Sequence, residues 1–62
     1  MNIYVIITLP KYQFIWATSD KEKALENVYE NNKHGQNVQL LTFDENGINV
    51  AIDNYNVTHK PN

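Results

Sequence analysis

The 62-residue sequence contains no cysteine and no arginine. Without cysteine, neither a disulfide framework nor a thiolate metal site can stabilise this small chain. Arginine is the usual residue for binding phosphates and base edges, and five lysines against seven acidic residues give a net charge of −2. The composition therefore predicts no direct binding to nucleic acid, and the charge is too small to mimic DNA.

Long apolar runs are also missing. No run approaches the roughly 18 residues of a membrane span, and residues 1–9 lack the basic start and the small-residue cleavage site of a signal peptide. Ten asparagines and no arginine are typical of AT-rich coding sequence, as in a low-GC bacterium or its phage. We therefore expect a protein of the bacterial cytoplasm that does not contact a membrane.

Residues that carry catalysis are few and scattered. His34 and His59 are the only histidines, and neither has acidic neighbours at metal-ligand spacing. Ser19, the only serine, stands at a helix start, and the two glycines stand in turns rather than in a phosphate-binding loop. The sequence predicts no catalytic, metal or cofactor site, and we expect a protein that is not an enzyme.

One segment, residues 18–35, has the pattern of a helix. Ser19 and Glu22 have the spacing of a capping box, with Ser19 as the N-cap. Gly35 follows the last turn and suits the left-handed conformation that ends many helices. The apolar residues at helical spacing form one narrow stripe, made of Ala24, Leu25, Val28 and Tyr29.

Two apolar segments precede the helix and two follow it, at residues 2–9, 12–17, 37–43 and 48–55. Pro10-Lys11 predicts a turn between the first two strands. Asn46-Gly47 predicts a hairpin between the last two, because both positions tolerate positive φ. The helix is therefore flanked by two hairpins.

This order of elements predicts an α+β fold, in which one helix packs on one face of a four-stranded antiparallel sheet. The helix returns the chain so that the third strand can lie beside the first, giving ββαββ topology with the spatial order 2-1-3-4. Residues 1–55 would form this single domain, and residues 56–62 a polar C-terminal tail.

Alternation along the strands divides the sheet into two faces. We expect the more apolar face to meet the helix and form the core: Ile3, Val5, Ile7, Phe14, Trp16, Leu41, Phe43, Val50 and Ile52. The opposite face would then be exposed although it is also largely apolar, which is typical of an interaction site. Its candidate interface residues are Tyr4, Ile6, Ile15, Val38, Leu40 and Tyr55.

Acidic residues offer a second candidate interface. Glu22, Glu26 and Glu30 recur every four residues and share one stripe of the helix. Asp44 and Glu45 stand in the predicted turn after the third strand. Such a set is usually a solvated surface, and if functional it would steer the chain toward a basic partner.

The first half of the chain resembles small phage and bacterial accessory proteins. The resemblance lies in the strand Ile3-Tyr4-Val5-Ile6, the short hairpin, and the helix start Ser19-Asp20-Lys21-Glu22-Lys23-Ala24. It implies no activity. It does imply an origin in a phage or mobile element, whose proteins of this size often bind and block a host enzyme, including defence nucleases, as anti-CRISPR proteins do.

Two hypotheses of function follow. The first is a non-enzymatic protein-binding module, encoded by a phage or mobile element, that inhibits a host defence enzyme by masking a functional surface. The second is a homo-oligomer, such as a homodimer, that sequesters a small molecule or nucleotide where subunits meet; Tyr4, Asn49, Asp53 and Tyr55 would line that pocket. The partner is a host protein in the first case and a second copy in the other.

Overall fold

A computed structural model describes residues 1–57 of the chain, apart from the side chain of Ile15. Its elements are β1 (Ile3–Leu9), β2 (Gln13–Thr18), α1 (Lys21–Lys33), β3 (Asn37–Phe43) and β4 (Asn49–Tyr55). The chain is an α+β protein with one helix and an antiparallel sheet, as the sequence predicts. His59 and most of the predicted tail, at residues 58–62, lie outside the described residues.

The strands lie in the order β2-β1-β3-β4, which is the order expected from the connections. Because β1 pairs antiparallel with both β2 and β3, those two strands run in the same direction. The helix is therefore a crossover between parallel strands, while β4 adds to the sheet through a hairpin. As a result, β2 and β4 are the two edges of the sheet.

The helix is capped at both ends, though its first cap is not the predicted one. Asp20 is the N-cap, and its carboxylate accepts hydrogen bonds from the backbone N–H groups of Glu22 and Lys23, at 3.0 and 3.3 Å. The prediction of Ser19 as the N-cap is wrong by one residue, because the helix begins at Lys21 and Asp20 supplies the acceptor for its first N–H groups. At the other end Gly35 has a φ of 81°, in the left-handed region, as predicted.

The helix covers the sheet face opposite to the one expected. Beneath it lies a core of five buried apolar residues within the described chain: Ile6, Ala24, Val28, Val38 and Leu40. The face predicted to form the core points away from the helix. Apolar content does not determine which face a helix covers. A crossover between parallel strands is almost always right-handed, and this handedness fixes the face on which the helix lies.

A bulge in β2 changes the faces that the sequence predicts for the first hairpin. Ile7 lies opposite Phe14, whereas Ile6 lies opposite Trp16 and Val5 opposite Ala17, because the register shifts by one residue. An extra residue in one strand moves the side chains beyond it to the other face. Trp16 therefore lies on the helix side of the sheet, and Phe14 on the opposite side.

The loop between β3 and β4 spans residues 44–48 and is organised by Asp44. Its carboxylate accepts hydrogen bonds from the backbone N–H groups of Asn46 and Ile48, at 2.9 and 3.0 Å. Gly47 has a φ of 79°, consistent with the predicted Asn46-Gly47 turn. Leu41 lies opposite Ile52 on the predicted face, but the register shifts between Thr42 and Phe43. Asn49 therefore lies opposite Phe43, and Val50, which was predicted to share the face of Phe43, is the extra residue of a second bulge.

Candidate functional site

The sheet face that points away from the helix is the largest candidate surface, and we call it the open face. In the described part of the chain no element lies over it. Its central members are apolar and come from all four strands: Ile3, Val5, Ile7, Phe14, Leu41, Phe43 and Ile52. Asn37, Gln39 and Asn54 lie on the same face toward one end, and Asn49 lies toward the other. No charged residue belongs to it.

Exposure confirms that the open face is unoccupied within one chain. Phe14 is 62% exposed, Ile52 54% and Ile3 40%, all high values for large apolar side chains. Val5, Ile7, Leu41 and Phe43 are half-buried by their own neighbours in the sheet. Contiguous exposed apolar surface on this scale marks interaction sites in soluble proteins.

The predicted interface on the sheet is largely the core of the protein. Ile6, Val38 and Leu40 are buried beneath the helix, so they cannot contact a partner. Tyr4 and Tyr55 are partly buried and pack against that core from its edge. The side chain of Ile15 lies outside the described residues. The prediction is wrong because alternation along a strand groups the residues of one face but does not show which face the helix covers.

The predicted acidic interface is only partly free. Glu22, Glu26 and Glu30 are exposed on the outer side of the helix, and Glu30 forms an ion pair with Lys33 at 3.7 Å. Glu45 pairs with the N-terminal amine at 3.6 Å. The Asp44 carboxylate is engaged in its own loop, so it contributes to the turn rather than to an acidic surface.

A groove of about 530 Å³ runs between the helix and β4 on the helix side of the sheet. It exists because the helix packs on β1, β2 and β3, and β4 extends the sheet beyond it. Lys21, Leu25 and Tyr29 form its helix wall, at every fourth residue. The residues that line the rest of the groove are Asn2, Tyr4, Leu40, Thr42, Val50, Ala51, Asp53 and Tyr55.

Three of the four residues predicted to line a pocket lie in this groove, namely Tyr4, Asp53 and Tyr55. Asn49 does not, because the register shift in β4 places it opposite Phe43, on the open face. Its amide donates to the backbone oxygens of Thr42 and Ala51, both at 3.0 Å. Tyr29 belongs to the predicted apolar stripe of the helix but is largely exposed at the groove. The groove lies within one chain and not at a subunit contact as expected.

Tyr55 lies at the end of the groove where the helix finishes. The side-chain amide of Asn32 donates to its backbone oxygen at 3.2 Å, which ties the last helical turn to β4. Burial raises the pKa of the Tyr55 hydroxyl above its ordinary value, and the nearby charges of Asp53 and Tyr29 raise it further. The Asp53 carboxylate places a negative charge near this end of the groove.

A more open depression of about 570 Å³ lies on the other side of the helix, beside Trp16. Charges of both signs line it, with Lys23 and Lys33 beside Glu26 and Glu30. The two positive and two negative charges of this depression offset one another.

Among residues 1–57, no three histidine or acidic side chains lie close enough together to hold a metal ion. No helix in that part of the chain has the length and apolarity needed to cross a membrane.

We compared the chain with known protein families, curated proteins and solved structures. No protein-family model, no curated protein and no solved structure significantly matches the chain.

Proposed function

We propose that this chain is a protein-binding module that pairs with a second copy of itself through the open face and presents both helix sides outward. The observation that carries the proposal is the composition of that face, which is apolar at its centre, uncharged and uncovered. Two such sheets would pack face to face at about 10 Å, as in a β-sandwich. The dimer would then have a second core between the sheets.

A second copy is the favoured occupant because the open face carries no charge. In a two-fold symmetric contact each subunit contributes the same patch, so a charged patch meets its own like charge. The open face avoids this repulsion, and its asparagines and glutamine toward the ends leave the apolar centre free for contact. A face adapted to a charged partner would need complementary charges of its own.

The size of the face also suits a dimer. Four strands about 4.8 Å apart and seven residues at about 3.3 Å each give a footprint of about 450 Å². Because side chains make the face corrugated, the accessible surface approaches the roughly 600 Å² per partner at the lower end of stable interfaces. A chain of this length with five buried apolar residues gains more from such a contact than a larger domain would.

Within this proposal the dimer acts by masking a functional surface of a host enzyme, as an inhibitor encoded by a phage or mobile element. The resemblance of the first half of the chain to such accessory proteins supports this role, as does the small size of the domain. The exposed glutamates of the helix would face the partner on both sides of the dimer. An apolar open face does not favour a ligand pocket between subunits, because few polar groups converge there.

Light scattering on the purified chain over a wide range of concentrations tests the proposal. We expect a mass of twice 7.2 kDa, and a mass near 7.2 kDa for Ile52→Lys, which places a charge on the open face. Ile48→Lys is the matched control, because Ile48 is as exposed, at 59%, but lies in the loop after β3. Circular dichroism would show that both variants keep the helix. A parent chain that remains a monomer at every concentration would refute the proposal.

A further inference from the structure

The groove between the helix and β4 has one end that suits a cation. Tyr29 and Tyr55 line it together with the carboxylate of Asp53, which lies opposite Leu40 on the helix side of β4. The faces of aromatic rings attract cations, and a carboxylate beside them adds a direct ionic partner. Tyr29 is 56% exposed, so its ring is accessible to a ligand.

The only basic side chain that lines the groove in the described chain is Lys21, and it belongs to the opposite end. Lys21 is the first residue of the helix, and Tyr29 follows eight residues later. At 1.5 Å per residue their backbone positions are about 12 Å apart along the helix axis. This exceeds the screening length of about 8 Å at physiological salt, so Lys21 repels a cation at the far end only weakly.

The acidic stripe of the helix lies outside this groove. Glu22, Glu26 and Glu30 are exposed, and Glu26 and Glu30 line the depression on the other side of the helix. Of these glutamates, Glu30 is paired with Lys33. The stripe therefore adds negative charge to the outer side of the helix, where it attracts a basic partner at long range before contact.

The groove is long enough for a segment of peptide. Its length of about 12 Å corresponds to about four residues of extended chain at roughly 3.3 Å each. Its floor includes Leu40, Val50 and Ala51, which can contact aliphatic parts of such a segment. A ligand consisting of a small cation alone would leave most of this length unused.

We propose that the groove binds an extended segment of a partner protein, with an arginine side chain between Tyr29 and Tyr55 and its guanidinium group on the Asp53 carboxylate. Arginine fits better than lysine because its planar group stacks on aromatic rings and can bond both carboxylate oxygens. This inference deepens the proposed function, because it gives the chemistry of the partner bound on the outer side of the dimer. It rests on a different face from the self-association.

A titration with two blocked tetrapeptides tests the site directly. One peptide contains a single arginine among alanines, and the other has citrulline in its place, which keeps the shape but removes the charge. Binding is followed by NMR on the isotope-labelled full-length chain, through the backbone signals of Tyr29, Asp53 and Tyr55. We expect the arginine peptide to bind about tenfold more tightly than the citrulline peptide.

Two variants and one control separate the groove from general charge attraction. Asp53→Asn should weaken binding of the arginine peptide about fivefold or more, and Tyr29→Leu about threefold or more. Glu45→Gln removes the same charge as Asp53→Asn, but in the loop at the other end of β3, and should change binding less than about twofold. Asp53 and Tyr29 are both exposed, so neither variant removes a core contact.

Three results would overturn the inference. The first is equal binding of the arginine and citrulline peptides, and the second is equal weakening by Asp53→Asn and Glu45→Gln. The third is binding of free tetramethylammonium as tight as that of the arginine peptide, which would assign the site to small cations instead. Light scattering measures self-association through the open face, and the titration measures peptide binding in the groove. A failure of self-association is therefore distinguishable from a failure of this site.

Discussion

Ile6 on β1 lies directly opposite Leu40 on β3, and both side chains are buried beneath the helix, with 0% and 2% of their surfaces exposed. Ala24 and Val28 on the helix complete this contact. Their small side chains let the helix approach the sheet closely, so the core is compact but narrow. The helix thus covers the face of the sheet that has the lower apolar content.

Truncation of the central pair should be severe. Leu40→Ala is expected to cost about 2 to 5 kcal/mol of the free energy of unfolding, because it leaves a cavity under the helix. A chain of this length has a total stability of about 3 to 9 kcal/mol, so the variant should lose a large share of its stability. Ile6→Val should cost only about 0.5 to 1.5 kcal/mol of the free energy of unfolding, so this variant stays folded and its stability can be measured.

The control for this series is Val50→Ala, because Val50 is exposed although its sequence pattern predicts a core residue. We expect a change of about 0.5 kcal/mol or less. Urea unfolding monitored by circular dichroism measures all three variants. A larger loss for Val50→Ala than for Ile6→Val would contradict the burial of Ile6 beneath the helix.

The elements and their order could be predicted from the sequence because they depend on local signals. Alternation along each strand correctly groups Tyr4, Ile6 and Thr8 with Val38, Leu40 and Thr42, as the register between β1 and β3 shows. Gly35 and Gly47 mark turns for a local reason, their positive φ. The position of the helix depends instead on the handedness of the crossover, to which apolar content gives no guide.

Two other features could not be predicted from the sequence, for different reasons. The bulge in β2 places Trp16 on the helix side, and no residue type in that strand signals it. The groove arises because one helix is narrower than four strands, so its lining depends on packing between distant elements. Tyr4, Asp53 and Tyr55 could be grouped beforehand because they share a face, whereas Tyr29 required the position of the helix.

The N-terminal cap of the helix can be assigned by a pair of substitutions. Asp20→Ala should cost about 1 kcal/mol of the free energy of unfolding, because the backbone N–H groups of Glu22 and Lys23 lose their acceptor. Ser19→Ala should change stability by less than about 0.5 kcal/mol. Urea denaturation of both variants would measure these losses. A larger loss for Ser19→Ala than for Asp20→Ala would show that Ser19 is the N-cap.

The loop between β3 and β4 should depend on Asp44 but not on its acidic neighbour. Asp44→Ala leaves the backbone N–H groups of Asn46 and Ile48 without their acceptor, and we expect a loss of about 1 to 2 kcal/mol. Glu45→Ala removes one exposed ion pair with the N-terminus and should cost about 0.5 kcal/mol or less. Thermal melts would measure both changes. Equal effects would mean that the Asp44 hydrogen bonds do not hold the loop.

The stability of the fold should fall at alkaline pH partly through Tyr55. Its pKa is raised in the folded chain, chiefly by burial and further by Asp53 and Tyr29. The folded state therefore keeps this proton to a higher pH than the unfolded chain, whose tyrosines ionise near pH 10, at about the ordinary value. The stabilisation is complete below that pH and is lost as the pH rises through the pKa of the folded state.

Substitution of Tyr55 by phenylalanine removes this ionisation while keeping the ring. We expect the free energy of unfolding of Tyr55→Phe to decline less steeply than that of the parent between about pH 9 and pH 12. Tyr12→Phe is the control, because Tyr12 is exposed at the first hairpin and should leave the slope unchanged. Urea titrations at each pH give the comparison. If the two variants decline in parallel, the ionisation of Tyr55 is not linked to folding, and its hydroxyl is solvated in both states.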